Sequence, residues 1–375
     1  MEKYKIALVS DWYYPRVGGI EYAINALARN LQHRGHDVHI VTGNPSAVQH
    51  PGNGDGFTVI RLKGRFLAGA LVSPKAFHDL YHTLRRGRYD IVHTHGLDSP
   101  MAMISLLLAK MIGIPALMTN HSLIGQVPLR PVLCAGARGF LRHAKAVIAV
   151  SARVEEESRH LTQGPVYRVP NGLDTYSPNG AVQPKKLDHP GKILIVTVSR
   201  MTGKKEVDRI VRIGPSLLKR HPNLVFVMVG DGPLKEPLEK EVQARGLAAH
   251  FWFAGSVSRE TVFHLLKQGQ IFILPCTREA FGIVILEAFL MGVPVIAMQQ
   301  SGAAEVVTHG KTGLLANDDE DLIRCVEELI AHPQRAASLA SAAYQEVEKY
   351  QWPNITKQIE SIYASLINGK RSSHS

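Results

Sequence analysis

The strongest constraint on this chain is an alternation. Short apolar runs of strand length recur between helix-length segments whose apolar residues fall three and four apart. Runs at 5–10, 38–42, 89–93, 115–119 and 146–150 read as strands. Residues 21–34 read as a helix with Ile24, Leu27, Ala28 and Leu31 on one face. Strands that are apolar throughout, with helices between them, specify a parallel sheet covered on both faces. The pattern then restarts: runs at 193–198, 224–229, 251–254, 271–274 and 293–297 are again strands. A stretch rich in Pro, Gly and Lys at 178–191 separates the two series and reads as a linker. The expected fold is α/β, built of two doubly wound halves. We expect a first domain over 1–180, a second over 181–350, and a C-terminal piece over 351–375. The helix of that piece, 352–367, packs on one of the two halves, the first being the expectation.

At 375 residues the chain is long enough for two domains with real cores. Three widely spaced cysteines, Cys134, Cys276 and Cys325, exclude a disulfide framework and a Cys-based zinc motif, and fit a reducing compartment. The most membrane-like run, 101–118, is interrupted by Lys110 and Pro115 and falls short of the ~20 apolar residues a span needs. It reads as a buried helix followed by a buried strand. With no secretory pattern at the N-terminus, a cytoplasmic location is expected.

Charge is shared unevenly, with 21 basic against 12 acidic residues over 1–185 and 22 against 20 over the remainder. No acidic residue occurs from 99 to 154. A solvated basic face is the plain reading; an anionic membrane surface, met peripherally, is the sharper one. Residues 129–144 mix Leu, Val and Phe with arginines, as an interfacial helix would. No nucleic-acid partner is expected.

Ligands of an open parallel sheet bind beyond the carboxyl ends of its strands. The first loop there, Pro15-Arg16-Val17-Gly18-Gly19-Ile20-Glu21, offers two glycines and a helix start to a phosphate. It lacks the G-x-G-x-x-G spacing, which argues against a nicotinamide dehydrogenase. Beyond 271–274 comes Arg278-Glu279-Ala280-Phe281-Gly282-Ile283-Val284-Ile285-Leu286-Glu287. Its two glutamates bracket a helix start; carboxylates accept from vicinal hydroxyls, and helix-start N–H groups bind a diphosphate. The alternative is an exposed Glu279 complementing a helix dipole and Glu287 on a solvent face. Ser199-Arg200 and Lys205, after 193–198, bring two cations that would neutralise a departing diphosphate, or else a solvated basic loop. His121 follows one strand of the first half, and His93 and His95 follow another; the latter two form a possible metal pair without a third ligand at motif spacing.

These residues carry a resemblance. Pro15 to Gly19, Asn171-Gly172-Leu173-Asp174, Ser199-Arg200 with Lys205, Val229-Gly230-Asp231-Gly232-Pro233 and Glu279-x7-Glu287 are similar, in order and spacing, to the retaining glycosyltransferases of family 4. Gly302-Ala303-Ala304-Glu305 and Thr312-Gly313-Leu314-Leu315 extend the likeness over essentially the whole chain. It implies the GT-B fold, two Rossmann-like domains facing across a cleft, and a nucleotide-diphosphate sugar as donor. It also implies that Glu279 contacts the donor sugar and Glu287 the ribose. Backbone around Phe281, Gly282 and Ile283 meets hydroxyls and phosphates, and Arg200 and Lys205 bind the diphosphate. Gly18-Gly19 closes over donor and acceptor, with Gly230, Asp231 and Val257 among the donor contacts, and His121 lies beside the anomeric carbon. No metal or other cofactor is expected; Asp319-Glu320-Asp321 mimics a D-x-D site but reads as a helix N-terminus.

Ser301 departs from the family, which usually has glycine there. Trp12, Tyr13 and Tyr14, near the acceptor side with Asn120, are expected to stack on or bind a sugar or cyclitol ring. The opening 10–15 and the segment 120–125 most resemble the branch that transfers N-acetylglucosamine to phosphatidylinositol. That branch makes UDP-N-acetylglucosamine the first donor, ahead of GDP-mannose and UDP-glucose, and a lipid, cyclitol or sugar hydroxyl the acceptor. A sugar-nucleotide epimerase and a non-catalytic sugar-nucleotide-binding protein are the alternatives.

Overall fold

The computed structural model describes residues 2–16, 18–43, 56–64, 66–67, 70–71, 73–123, 130–174 and 191–372. The chain forms two compact units, one of residues 1–174 with 351–375 and one of residues 175–350. The linker read at 178–191 lies, but for Gly191, outside the described residues, as do Val17, Ile124, Gly125 and Leu129.

The first unit begins with β1 (Lys5–Ser10), α1 (Gly19–His33), β2 (Asp37–Thr42) and β3 (Thr58–Arg61). A short antiparallel pair, β4 (Phe66–Leu67) and β5 (Ala70–Leu71), precedes α2 (Pro74–Gly87). Then come β6 (Ile91–His95), α3 (Pro100–Ile112), β7 (Ala116–Asn120), α4 (Arg130–Leu141), β8 (Ala146–Ala149), α5 (Ala152–Arg159) and β9 (Val166–Arg168). Seven strands pair in parallel in the order β3-β2-β1-β6-β7-β8-β9. The order reverses between β1 and β6, so the carboxyl ends of these two strands form the switch point where such sheets bind ligands.

The second unit runs β10 (Ile193–Val198), α6 (Asp208–Arg220), β11 (Leu224–Val229), α7 (Lys235–Ala244), β12 (Phe251–Gly255), α8 (Arg259–Gln268), β13 (Ile271–Leu274) and α9 (Ile283–Leu290). It ends with β14 (Val295–Met298), β15 (Leu314–Ala316), α10 (Asp319–Ala331) and α11 (Pro333–Glu346). Its sheet is parallel in the order β12-β11-β10-β13-β14-β15, with its switch point between β10 and β13. The strands are buried on both faces, which is why they read as continuous apolar runs.

The last helix, α12 (Trp352–Ser372), belongs to the first unit. Its buried Ile355, Ile359, Ile362 and Tyr363, spaced at three and four, share a core with Ile24, Leu27 and Leu31 of α1. Glu360 anchors it, accepting from Arg34 Nε at 2.6 Å and pairing with His36 Nε2 at 2.8 Å.

Several boundaries move from their sequence positions. β6 begins at Ile91 because Asp90 is spent on the edge of β1, its carboxylate accepting from the Lys5 N–H at 2.7 Å. It runs on through Thr94 and His95, which pair with Met118 and Thr119 of β7. His93 and His95 therefore lie within the strand, on one face, instead of after it. β14 likewise starts two residues later than expected, at Val295, and ends at Met298. Asp319 opens α10, whose cap is the Asp318 carboxylate accepting from the Asp321 N–H at 2.8 Å. No described helix is long and apolar enough to cross a membrane.

Candidate active site

In the second unit four loops leave the carboxyl ends of adjacent strands, and those after β10, β11 and β12 lock together through backbone. The Ser199 N–H donates to the Val229 carbonyl at 2.9 Å and the Met201 N–H to the Asp231 carbonyl at 2.8 Å. This approach requires glycine. A Cβ at Gly230 (φ +128°) would lie 2.0 Å from the Ser199 carbonyl oxygen, and one at Gly232 (φ +151°) 2.5 Å from that of Met201. The third loop enters through the Gly230 N–H, which donates to the Gly255 carbonyl at 2.9 Å, and half-buried Val257 stands two residues further on. Asp231 is exposed and its carboxylate accepts from the Gly232 N–H.

The fourth loop, after β13, carries Glu279. Lys205, at the end of a single 3-10 turn after β10, donates to its carboxylate at 2.7 Å. Burial works against the charge on Glu279. The Lys205 ammonium and the N–H groups of Ala280 and Phe281 outweigh it and hold the carboxyl below its ordinary value. Burial would likewise lower Lys205, but the Glu279 carboxylate raises it above the usual lysine value. Arg200, exposed and without an ion-pair partner among the described residues, lies close enough to oppose the Lys205 charge. A matched pair with an uncommitted guanidinium beside it is suited to an anion that presents both charge and hydroxyls.

Glu206, which carries no motif signal in the sequence, holds these loops in register. It has a left-handed backbone (φ +49°), unusual for a residue other than glycine. Its carboxylate accepts from the Thr277 hydroxyl at 2.6 Å and the Thr277 N–H at 3.2 Å, and pairs with Arg209 and Arg278. The Cys276 thiol reaches the Lys204 carbonyl at 3.2 Å, and burial pushes it up to about 12, so it is inert as a nucleophile.

Gly282, at φ +88°, caps α9 from outside, and Ile283 opens the helix. Phe281 is buried edge-on against Tyr350, 6.0 Å between centroids. Glu287 is buried too, where the sequence also allowed a solvent face. Burial pushes its carboxyl above the ordinary value, only partly offset by Arg259 Nε at 2.9 Å. Gly302 donates to the Glu279 carbonyl at 2.7 Å, and a Cβ there would fall 2.0 Å from the Ala280 carbonyl oxygen. Ser301 fills its altered position by donating to the Met298 carbonyl at 2.7 Å.

In the first unit the switch point gathers Trp12, Gly18, Gly19, His95 and His121. Asp11, fully buried, accepts from the Ser99 hydroxyl at 2.6 Å and the Met101 N–H at 2.9 Å, placing a carboxylate at the start of α3. Trp12 has Arg16 stacked over its ring at 4.8 Å, and its buried indole N–H finds no partner among the described residues. Such an orphan donor marks a place where a ligand can be satisfied. Gly18 precedes α1 in extended conformation and Gly19 is the helix's exposed first residue; Glu21, buried in the first turn, pairs with Arg16 at 3.0 Å.

Two expectations for the acceptor side are corrected here. Tyr13 is packed in the core with its hydroxyl on Asn25 Oδ1 at 2.5 Å, so it offers no face for stacking. Asn120 is fully buried, donating to the Ser158 hydroxyl at 3.1 Å and accepting from the Ser122 N–H at 3.0 Å. Its amide, enclosed by the protein, shapes the turn that carries His121. Tyr14 remains half-buried at the edge of the same core.

The histidines form an array, with His93 and His95 buried and His121 half-buried. His93 spends both nitrogens, on the Tyr363 hydroxyl and the Thr119 hydroxyl, each at 2.6 Å. His95 meets His121 through Nδ1 and Nε2 at 3.1 Å, their rings stacked. Burial pushes His93 down to about 3, His121 to about 4 and His95 well below its ordinary value. All three are neutral at pH 7. Among the described residues no group of three or more His, Cys, Asp or Glu is arranged to hold a metal ion. The carboxylate of Asp319, first of the D-x-D look-alike, is engaged by Arg209 and Arg212.

Two Rossmann-like halves, the second with an acidic pair bracketing a helix start, are those of a GT-B glycosyltransferase. Residues 17–176 match the model for Glycosyltransferase Family 4 and residues 181–346 that for Glycosyl transferases group 1. The chain is a glycosyltransferase composed of these two domains. It is 28% identical to a phosphatidylinositol N-acetylglucosaminyltransferase subunit of Arabidopsis thaliana, over 96% of this chain and 82% of that protein. It is 26% identical to the GDP-mannose-dependent alpha-(1-6)-phosphatidylinositol monomannoside mannosyltransferase of Mycolicibacterium smegmatis, over 97% and 98%. Among solved structures, Anabaena HepE in complex with UDP-glucose superposes with a TM-score of 0.82 at 20% identity, covering 96% of this chain and all of that one.

Proposed function

We propose that the protein transfers N-acetylglucosamine from UDP-N-acetylglucosamine to a hydroxyl of a phosphatidylinositol-like lipid, with retention at the anomeric carbon and without a metal. The observation that carries this reading is the Lys205–Glu279 pair with Arg200 beside it, at the switch point of the second sheet. Glu279 takes sugar hydroxyls and Glu287 the ribose. Arg200 and Lys205 receive the diphosphate as the bond from the anomeric carbon to its oxygen breaks and the electron pair leaves with it. The acceptor oxygen attacks from the same face, and its proton passes to the departing phosphate. His121 and Trp12 serve the first half's share, with His121 hydrogen-bonding the transferred sugar.

The lipid acceptor is supported by the likeness to the Arabidopsis protein, whose name specifies phosphatidylinositol, and by the basic first half, including Lys110, Arg138, Arg142 and Lys145. The Mycolicibacterium relative favours a second reading, mannose from GDP-mannose to a phosphatidylinositol mannoside.

A panel of UDP-N-acetylglucosamine, UDP-glucose and GDP-mannose, assayed for released nucleotide with and without vesicles carrying phosphatidylinositol or a phosphatidylinositol mannoside, tests the proposal. UDP release that depends on the lipid is expected, and Arg200→Ala or Lys205→Ala should lower turnover by ~10²–10³. Lipid-dependent GDP release selects the second reading. Epimer formation without acceptor, or no turnover of any donor, overturns both. Salt-sensitive sedimentation with anionic vesicles checks the membrane face, since surface attraction is screened over ~10 Å at 0.1 M.

A further inference from the structure

His121 is held by a residue that no family match or relative's name assigns a role. His95 ends β6 and is almost fully buried, with its Nδ1 3.1 Å from Nε2 of His121. Two neutral imidazoles at that distance share one proton: one ring donates N–H and the other accepts with a lone pair. Which ring donates is decided by the far side of His95. Its Nε2 is buried with no hydrogen-bond partner among the described residues. If that nitrogen carried the hydrogen, a buried N–H would be orphaned, which is a costly arrangement. If Nδ1 carries it, only a lone pair goes unmet, and the bond to His121 is made at the same time.

We infer that His95 donates Nδ1–H to Nε2 of His121, fixes His121 as its Nδ1–H tautomer, and so makes it a hydrogen-bond donor toward substrate. The half-buried His121 ring has no protein partner at Nδ1 among the described residues, so that N–H is available to a sugar oxygen. His95 is a positioning residue. It is itself braced by His93, whose ring lies 4.2 Å away and is pinned by Tyr363 of α12 and Thr119 of β7. The array explains why an apolar strand carries two imidazoles on one face: the first is a wall for the second, and the second orients the third.

The role assigned to His121 rests on the proposed function, so the test separates the two claims. Nitrogen NMR on the full chain labelled with 15N-histidine reports the tautomer directly, the His121 signals being assigned by their loss in His121→Ala. A protonated Nδ1 and a bare Nε2 are expected in the wild type. His95→Phe should release that preference and lower kcat about tenfold, roughly one hydrogen bond, with the donor that turns over in the panel. Nucleotide affinity should not move, since the second half grips the nucleotide. His95→Asn places an amide N–H near the original Nδ1–H and should recover the tautomer and most of the rate. The inference is overturned if wild-type His121 carries its hydrogen on Nε2, or if His95→Phe leaves both tautomer and kcat unchanged. If the tautomer is as stated but His121→Ala turns over normally, the positioning by His95 stands and the catalytic reading of His121 falls.

Discussion

The ammonium of Lys205 lies 2.7 Å from the carboxylate of Glu279, a residue 74 positions further along the chain. Both are mostly buried, so each makes the other's charge tolerable. Lys205→Met leaves Glu279 without its principal counter-charge and should cost about 3 kcal/mol in urea unfolding at neutral pH. The pH dependence has a definite sign. Glu279 sits below its unfolded value, so its contribution is present above about pH 4 and is lost as pH falls through the lowered folded value. In Lys205→Met that contribution should vanish, leaving a shallower stability profile on the acid side. An unchanged acid limb would show that the pair contributes nothing.

Glu287 has the opposite sign. Burial raises its carboxyl, so its favourable share is present below the unfolded value near 4 and is lost as pH rises through the raised folded value. The neutral isostere Glu287→Gln should therefore unfold at higher temperature than the wild type at pH 7, by an increment that shrinks toward pH 4. On the proposed function, in which Glu287 takes the ribose, the same variant should bind nucleotide sugar more weakly. Calorimetric titration with UDP-N-acetylglucosamine beside thermal unfolding reads both effects. A variant that is less stable at pH 7 would contradict the electrostatic account.

Gly302 and Ser301 are neighbours with unequal tolerance. A methyl at 302 has no room beside the carbonyls of Ala280 and Glu279, so Gly302→Ala must displace the loop that presents Glu279. Overpacking of this kind costs ~1–3 kcal/mol, and a shifted Glu279 should lower kcat/KM more than tenfold. Ser301→Gly removes only a hydroxyl bonded to Met298 and should stay within about threefold of wild type, since no demand at the site depends on it. Equal behaviour of the two variants in steady-state assays would refute the steric argument.

What could be read from the residues, and what could not, follows from the range of the interactions. Periodicity is local, so the doubly wound halves and strands such as β1, β10, β11 and β13 were legible end to end. β3, β9 and β15 were not: they are three or four residues long, and the first two mix Thr, Arg and Tyr with the apolar positions. The Glu279–Glu287 spacing is also local and stood out. Glu206 did not, because its importance comes from Thr277 and Arg278, some seventy residues away. Tyr13 and Asn120 misled for the converse reason. Polar groups just past strand ends look like ligand contacts, and only the folded chain reveals that Asn25, Ser158 and Ser122 already occupy them.

Glu360 provides the last test, on the helix that closes the first unit. Its carboxylate takes Arg34 and His36 together, and the His36 ring accepts the Tyr4 N–H at 3.1 Å through its other nitrogen. Burial would raise Glu360, but the hydrogen bonds and charges of Arg34 and His36 hold it below its ordinary value. Its stabilisation is therefore present above about pH 4 and lost as pH falls through the lowered folded value. Glu360→Ala strands a mostly buried guanidinium and should cost about 2–3 kcal/mol at neutral pH, with the difference from wild type closing toward acid. α12 also supplies Tyr363 to His93, so its release should reach the histidine array. Hydrogen exchange should then accelerate first in α12 and next in β6, with the second unit unaffected. Uniform acceleration through both units would mean that Glu360 stabilises the chain globally and is no local clasp.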